Sequence, residues 1–320
     1  MKQVLITGGA GFIGSNFVEY FIQKYPSCKI VNVDKLTYAG SLENLKNIFR
    51  HRNHQFIQAD ICDAKKMNQY VRGCDAIIHF AAETHVDRSI TDAHNFIKTN
   101  VFGTYVLLEA AVRNKIKRFI HISTDEVYGS RHKGFFKEND PLHPSSPYST
   151  SKAAGDLLVQ SYYTTYQLPI LITRSSNNFG PRQYPEKVIP LFVTNLLKNK
   201  KVPLYADGEN IRDWIYVLDN CRAIDCVVQK GKIGEIYNIA GGNYLTNLSL
   251  TKKMLIKMKK SESMIQRVKD RPGHDFRYAI DCSKIKCLGF KPLYRFDQGL
   301  DLTIEWYKNN PLWLKRIKKG

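Results

Sequence analysis

The sequence has no long hydrophobic run, and its cysteines are not paired at the spacing of a metal or redox site. No stretch of the 320 residues approaches the roughly 20 apolar residues of a membrane-spanning helix. The seven cysteines are odd in number and none forms a C-x-x-C pair, so we expect reduced, mostly buried thiols and no metal site. The first residues do not resemble a signal peptide. Together these absences predict a cytoplasmic protein that does not bind membranes.

Acidic residues are also scarce, which leaves a formal net charge of +19. Nucleic-acid binding is one interpretation of such a surplus. In residues 251–320, however, eighteen Lys and Arg stand against seven Asp and Glu, and the lysines alternate with apolar residues as on the solvated face of a helix. An anionic small-molecule substrate suits a positive field equally well. We therefore expect no nucleic-acid partner.

Internal repeats, low-complexity tracts and flexible linkers are absent, and the first 125 residues instead alternate short apolar runs with helical patterns. This alternation predicts an α/β fold, a doubly wound parallel sheet of the Rossmann type. Residues 1–175 are expected to bind a dinucleotide, with 211–238 returning to that domain, and 176–320 to form a smaller interleaved substrate domain. The predicted strands are Val4–Thr7, Ile30–Val33, Phe56–Gln58, Ala76–Phe80 and Phe119–Ser123. The predicted helices of this half are Ser15–Lys24, Leu42–Phe49, Lys65–Val71 and Asn95–Arg113.

Two helices carry apolar or small residues around much of their circumference, namely Asn95–Arg113 and Pro147–Tyr166. They pack either against a second subunit or into a large intramolecular core, and we favour a homodimer. After about residue 175 the pattern loosens. Residues 177–185 are interpreted as loop, 188–198 and 248–259 as helices, and 202–205 and 236–239 as strands.

A glycine loop, Gly8-Gly9-Ala10-Gly11-Phe12-Ile13-Gly14, directly follows the first strand and opens the first helix. Glycines allow backbone to approach a pyrophosphate, and the helix N-terminus supplies free N–H groups. Asp34 ends the next strand, twenty residues after Gly14. A carboxylate there accepts hydrogen bonds from ribose hydroxyls and repels a 2′-phosphate, which favours NAD over NADP although Lys35 is adjacent. Asp60 and Ile61 follow the third strand, where an adenine edge would lie.

Two further groups of residues carry chemistry. Tyr148 and Lys152 share one helix face, and a nearby ammonium stabilises a phenolate, so this tyrosine is a candidate base for oxidising an alcohol. Thr124, Asp125 and Glu126 follow the strand that ends near Ser123. A simple alcohol dehydrogenase needs only the hydroxyl here, so the extra acid and base suggest elimination of water. The alternative is an acidic turn that caps a helix.

These residues together resemble the nucleotide-diphosphate-glucose 4,6-dehydratases, extended short-chain dehydrogenases/reductases of deoxysugar formation such as rhamnose biosynthesis. The resemblance spans nearly the whole chain, and the Thr-Asp-Glu triplet is its most specific part, because sister epimerases typically lack the adjacent acids. The shared segments are Gly8–Gly14, Asp34–Gly40, Ala81–Ser89, Ser123–Gly129, Tyr148 with Lys152, Ser176–Asn178, Pro185–Lys187, Arg212–Trp214 and Arg271–Asp275.

The resemblance implies a role for each catalytic residue. Tyr148 would take the proton of the sugar C4 hydroxyl, Lys152 would lower the pKa of Tyr148 and hold the cofactor ribose, and Thr124 would hydrogen-bond the C4 oxygen. Glu126 would remove the C5 proton and Asp125 would protonate the leaving C6 hydroxyl. NAD would stay tightly bound and be regenerated in each cycle, and the product would be a 4-keto-6-deoxy sugar.

The resemblance also implies the ligand-binding residues. Those expected at NAD are Gly8, Gly11, Phe12, Ile13, Gly14, Asp34, Lys35, Thr37, Asp60, Ile61, Ala81 and Ala82, besides Tyr148 and Lys152. Those expected at the nucleotide-diphosphate glucose, either dTDP-glucose or UDP-glucose, are His85, Asn178, Lys187, Val188, Pro203, Tyr205, Arg212, Asn247, Arg271 and His274.

Two other functions remain open at the level of sequence. One is another NAD-dependent nucleotide-sugar enzyme, such as a C4 epimerase, which the paired acids disfavour. The other is a catalytically silent NAD-binding protein that uses its basic surface to bind nucleic acid, which the intact catalytic set disfavours.

Overall fold

A seven-stranded parallel sheet forms the centre of the protein, as the alternation of strands and helices predicts. The computed structural model describes residues 1–270 and 272–317. Numbered in chain order, the strands of this sheet are β1 (Gln3–Thr7), β2 (Lys29–Asp34), β3 (His54–Gln58), β4 (Ala76–His79), β5 (Arg118–Thr124), β6 (Ile170–Ser175) and β10 (Ile236–Ile239). Their order is β3-β2-β1-β4-β5-β6-β10. The order reverses between β1 and β4, which makes the sheet doubly wound and places its ligand-binding edge at their carboxyl ends.

Both faces of the sheet are covered, so its strands are apolar on both sides. Val4 and Ile6 pack into one core cluster with the first helix, whereas Leu5 between them packs into the cluster on the opposite face. Successive side chains of a strand point to opposite faces, and burial of both explains the continuous apolar runs. The longer helices of the chain are α1 (Phe12–Lys24), α2 (Ala64–Val71), α5 (Thr104–Arg113), α6 (Pro147–Tyr166), α7 (Val188–Leu197), α8 (Val217–Lys230), α9 (Asn247–Lys257) and α11 (Phe296–Asn309). The shorter ones are α3 (Val86–Thr91), α4 (His94–Phe96), α10 (Ser283–Cys287) and α12 (Pro311–Ile317).

Helix α6 has the predicted bounds because its sequence specifies both ends. Ser146 accepts a hydrogen bond from the Ser149 backbone N–H at 3.1 Å, and Pro147 occupies the first turn, where a missing N–H costs nothing. The helix ends at Gln167, which adopts a left-handed conformation with φ 54°.

The predicted helix Asn95–Arg113 is interrupted by a wide turn. Residues Ile97–Gly103 between α4 and α5 are π-helical. The π-helical segment lies close to the residues that follow β3, because a Cβ atom on Gly103 would lie 2.5 Å from Ile61 Cδ1. The wide turn directs Asn100 inward, where its side chain accepts from the Glu83 N–H at 2.9 Å and donates to Ser151 Oγ at 2.8 Å. Single π turns often occur at functional sites for this reason.

Two other predicted elements were wrong. Leu42–Phe49 is not an α-helix: a single 3-10 turn, Leu42–Leu45, is followed by turns whose hydrogen bonds span three residues, such as Ile48 N–H to the Leu45 carbonyl at 2.9 Å. The segment 177–185 is not entirely loop, because Asn177–Phe179 form β7. This strand has no apolar pattern of its own and exists because it pairs with β9 (Ile211–Tyr216).

The C-terminal part packs over the carboxyl edge of the main sheet. Its strands are β7, β9 and β11 (Tyr244–Thr246) in one sheet, and β8 (Val202–Tyr205) paired with β12 (Ile265–Val268) in another. Its core joins Phe192 of α7, Leu250 of α9 and Leu300 of α11. In the described residues, no helix has the length and apolar character to cross a membrane.

Candidate active site

A cleft of about 1600 Å³, partly open to solvent, runs along the carboxyl ends of β1 to β6. The lining contains each predicted catalytic residue and each predicted NAD-binding residue. These residues meet because loops that follow parallel strands converge on one edge of the sheet.

The glycine loop is shaped for close backbone approach. Gly8 adopts φ 72°, and a Cβ atom there would lie 2.5 Å from Ala81 N. A Cβ atom on Gly14 would lie 2.2 Å from Gly8 O, so the first turn of α1 packs directly on the loop. No side chain caps this helix at Gly11. The free N–H groups at its start suit an anion, and the loop therefore fits the pyrophosphate of a dinucleotide.

Asp34 is fixed at the position expected of a ribose-binding carboxylate. Its Oδ2 accepts from the Ala10 N–H at 2.9 Å and its Oδ1 from the Leu36 N–H at 2.8 Å. Burial raises the pKa of this carboxyl, which these backbone bonds partly offset. The neighbouring Lys35 does not oppose the carboxylate, since its Nζ forms an ion pair with Asp60 Oδ2 at 2.8 Å. The local charge therefore disfavours a 2′-phosphate, as predicted for an NAD site.

The turn after β5 brings the paired acids into the cleft. Thr124, not an acid, caps this turn by accepting from the Glu126 N–H at 3.2 Å, so the capping alternative does not account for Asp125 and Glu126. Asp125 is 3% exposed, and its Oδ2 has no hydrogen-bond partner among the described residues. Burial, then the charges of Glu126 and Asp213, raise the pKa of Asp125 well above its ordinary value. This environment therefore favours the protonated form of Asp125.

Tyr148 lies in the first turn of α6 and is buried beside the acids. Burial and the charge of Glu126 raise the pKa of its hydroxyl, whereas a hydrogen bond with Thr124 lowers it. Lys152, one turn later, donates from Nζ to the Ile122 carbonyl at 2.7 Å, and burial lowers the pKa of this ammonium to about 8. The expected lowering of the Tyr148 pKa by Lys152 is therefore not found, because a strand carbonyl holds the ammonium.

Of the predicted substrate residues that the structure describes, only Asn178 and Lys187 lie in the cleft lining. Lys187 Nζ donates to the Thr84 carbonyl at 2.9 Å, which joins two sides of the cleft. His85 lies nearby, with its Nε2 4.0 Å from Glu186 Oε2. Burial lowers the pKa of the His85 imidazole to about 4. The imidazole is therefore neutral. Val188 begins α7 directly after Lys187.

Arg212 belongs to a second group, outside the cleft lining. Its guanidinium donates to the Ile211, Asp275 and Phe276 carbonyls and stacks 4.3 Å from the Tyr278 ring centroid. These backbone contacts differ from the expected pairing with a diphosphate.

The other predicted substrate residues outside the lining also lie in the C-terminal part. The Tyr205 ring meets His274 edge-on at 5.9 Å. Pro203 lies in β8, and Asn247 begins α9. Arg271 lies outside the described residues.

Sequence reasoning missed an ion pair and a ring stack at the mouth of the cleft. Arg88 stacks 3.8 Å from the Tyr38 ring centroid and pairs with Glu186 Oε2 at 3.1 Å. The sequence did contain a signal for these contacts. The segment His85–Arg88 belongs to the motif shared with the family, but the sequence alone assigned no role to Arg88. Other missed residues of the lining lie at or after the carboxyl ends of β4 to β6 or precede α7, namely Glu83, Thr84, Ser123, Ser175, Ser176, Asn177, Gln183 and Tyr184.

Comparisons with known proteins identify the family of this chain. A family model described as GDP-mannose 4,6 dehydratase matches residues 5–303. The low-salt glycan biosynthesis protein Agl12 of Haloferax volcanii is 52% identical over 95% of this chain and 98% of its own length. A dTDP-glucose 4,6-dehydratase of Streptomyces niveus is 49% identical over 99% of this chain and 96% of its own.

A solved structure shares the fold throughout. It is DesIV, a dTDP-glucose 4,6-dehydratase of Streptomyces venezuelae with NAD and TYD bound, and it matches with a TM-score of 0.97 and 47% identity over 98% of this chain and 99% of that one. The chain belongs to the family of NAD-dependent nucleotide-sugar 4,6-dehydratases, within the extended short-chain dehydrogenases/reductases.

Proposed function

We propose that the protein converts dTDP-glucose to its 4-keto-6-deoxyglucose derivative by oxidation at C4, loss of water across C5 and C6, and reduction at C6. The observation that carries this proposal is the buried Asp125, whose pKa is raised, between Thr124 and Glu126 and beside Tyr148. The thymine nucleotide is preferred over UDP-glucose because relatives 49% and 47% identical carry the name dTDP-glucose 4,6-dehydratase.

The glycine loop and Asp34 would hold NAD, the loop at the pyrophosphate and the carboxylate at the ribose. NAD, when bound, accepts a hydride at the oxidation step and returns it at the reduction step. The enclosing contacts across the cleft, such as Lys187 to the Thr84 carbonyl, would help retain it through the cycle. Tight retention is required because no external reductant is consumed.

Tyr148 would take the proton of the C4 hydroxyl, with Thr124 holding the C4 oxygen. The raised pKa of Tyr148 makes its phenolate unfavourable, and Lys152 on the same helix face is the positive charge able to favour it. Its ammonium is held on the Ile122 carbonyl, so this role requires Lys152 to reorient during the cycle. That reorientation is part of the proposal.

Asp125 and Glu126 would divide the elimination between them. A new C4 ketone acidifies the C5 proton, which Glu126 removes as a base. Asp125 donates its proton to the C6 hydroxyl as water leaves, and the raised pKa of Asp125 favours the protonated form that this role needs. A C4 epimerase has no step that needs this acid.

The paired variant Asp125→Asn with Glu126→Gln tests this division of roles. Oxidation at C4 should proceed while elimination stalls, so absorbance of reduced cofactor should accumulate on addition of dTDP-glucose. Tyr148→Phe is the matched control and should give no such signal, because it lacks the base for the first step. Absence of the signal in the paired variant, or normal turnover in Tyr148→Phe, would contradict the assignment.

The same proposal assigns a different ligand to each half of the chain. Residues 1–175, with α8 and β10 packed on or in the main sheet, would bind NAD, and most of 176–320 would bind the nucleotide sugar. A homodimer through the π-helical turn, α5 and α6 is supported by large apolar side chains exposed on those segments, namely Ile97, Phe102, Tyr105, Leu157 and Tyr166.

A further inference from the structure

The short C-terminal helix α12 contacts the nucleotide-binding half of the protein. It begins at Pro311, beyond residue 303 where the family model ends. Trp313 of this helix is 7% exposed, and its indole Nε1 donates to Asn44 Oδ1 at 2.7 Å. On the surface, Arg316 Nη1 contacts both carboxylate oxygens of Glu43 at 2.8 Å. The helix is thus docked on the segment that follows β2.

Asn44 also forms a hydrogen bond with the glycine loop. Its side chain is 2% exposed and its Nδ2 donates to the Ala10 carbonyl at 2.8 Å. Ala10 stands in the middle of the loop, and its own N–H donates to Asp34 Oδ2 at 2.9 Å. A continuous chain of hydrogen bonds therefore runs from Trp313 through Asn44 and Ala10 to the carboxylate expected at the ribose.

The chemistry of the indole fixes the direction of this chain. An indole N–H can only donate, so Asn44 must turn its oxygen toward Trp313 and its amide nitrogen toward Ala10. The Ala10 carbonyl can only accept and therefore requires the same orientation of the amide. Without the indole donor, the buried Asn44 oxygen would lose this partner, and the amide would be held at its nitrogen end alone.

We propose that Trp313 is a positioning residue of the cofactor site, which orients Asn44 to hold the glycine loop in its NAD-binding shape and so slows release of NAD. The inference rests on NAD binding at the glycine loop and is independent of the proposed dehydration. The proposal assigns a function to α12, which lies outside the residues that the family model matches.

The test compares Trp313→Phe with Trp306→Phe in otherwise intact holoprotein. Trp306 packs against Trp313 at 4.8 Å in the same aromatic cluster, so its replacement reports the cost of altering that cluster. The rate of NAD loss after rapid desalting would be measured by chromatography of the released nucleotide, with the melting temperature of each variant recorded beside it. Trp313→Phe should release NAD about tenfold faster, the scale of one lost buried hydrogen bond, and Trp306→Phe should match the parent.

A second variant keeps the test valid if Trp313→Phe folds poorly. Asn44→Asp retains an acceptor for the indole and removes the donor to Ala10, so it should also accelerate NAD release while α12 stays docked. At saturating NAD, the KM for the nucleotide sugar should not change in either variant. NAD release at the parental rate in Asn44→Asp, or acceleration in Trp306→Phe equal to that in Trp313→Phe, would overturn the proposal.

Discussion

Asp125 and Lys152 are buried groups whose pKa values are shifted in opposite directions, and the proposed mechanism uses both in their protonated forms. Burial and two neighbouring carboxylates raise the pKa of Asp125, whereas burial lowers the pKa of Lys152 to about 8. The sequence predicted which side chains would meet, because each follows a strand or shares a helix face. It could not predict that Lys152 binds the Ile122 carbonyl, since that contact depends on how closely α6 packs on β5.

The pH dependence of turnover follows from these two shifts. A lowered lysine pKa means that the ammonium is present below pH about 8 and is lost as the pH rises through that value. Asp125 also loses its proton only as the pH rises. Because the Tyr148 phenolate depends on the Lys152 ammonium and elimination depends on the Asp125 proton, we expect kcat/KM to fall on the alkaline side, beginning near pH 8, in initial-rate measurements with dTDP-glucose. A profile that stays flat well into the alkaline range would contradict the assigned protonation states.

At the scale of elements, burial leaves a pattern in the sequence: a continuous apolar run in a strand covered on both faces, and a helical period in a helix buried along one stripe. The strands and the long helices were predictable for this reason. No such pattern marks the 3-10 turn after Ser41, the π-helical turn before α5 or strand β7. Each exists because of a tertiary contact, such as Ile61 beneath Gly103 or β9 beside β7. The glycine loop was predictable because only glycine tolerates its close approaches.

Gly8→Ala tests the tightness of that loop. The new methyl group would meet Ala81 N at 2.5 Å, so the loop must shift and the retained NAD should fall to a small fraction of the parental content. Gly73→Ala is a matched control, because Gly73 has a similar φ of 81° with no atom within 4 Å of the added Cβ. Both variants carry a left-handed strain of roughly 1–2 kcal/mol, but only Gly8→Ala should lose cofactor. Equal NAD content in the two purified proteins would argue against the loop as the pyrophosphate site.

At the scale of the whole molecule, the sequence left open whether two unusually apolar helices serve a dimer or an internal core. The structure buries one side of α5 and α6 against the main sheet and leaves Leu157 58% exposed on the other. Such an outcome depends on which face the sheet occupies, and a single helix pattern cannot specify it. The proposed homodimer accounts for the apolar residues that remain on the surface.

Leu157→Glu should convert the dimer to a monomer, because it places a charge within the proposed apolar interface. Leu293→Glu is the control, since Leu293 is 67% exposed and lies far along the chain from both helices. Light scattering of the purified proteins should give a dimer for the parent and the control, and a monomer for Leu157→Glu. A monomeric parent would refute the interface.

The central claim is dehydration of a nucleotide-diphosphate glucose, and the mass of the product tests it most directly. The purified protein would be incubated separately with dTDP-glucose and UDP-glucose, and each product analysed by mass spectrometry. We expect dTDP-glucose to lose one water and to react faster than UDP-glucose. An isomer of unchanged mass from either sugar would instead indicate an epimerase and contradict the roles given to Asp125 and Glu126.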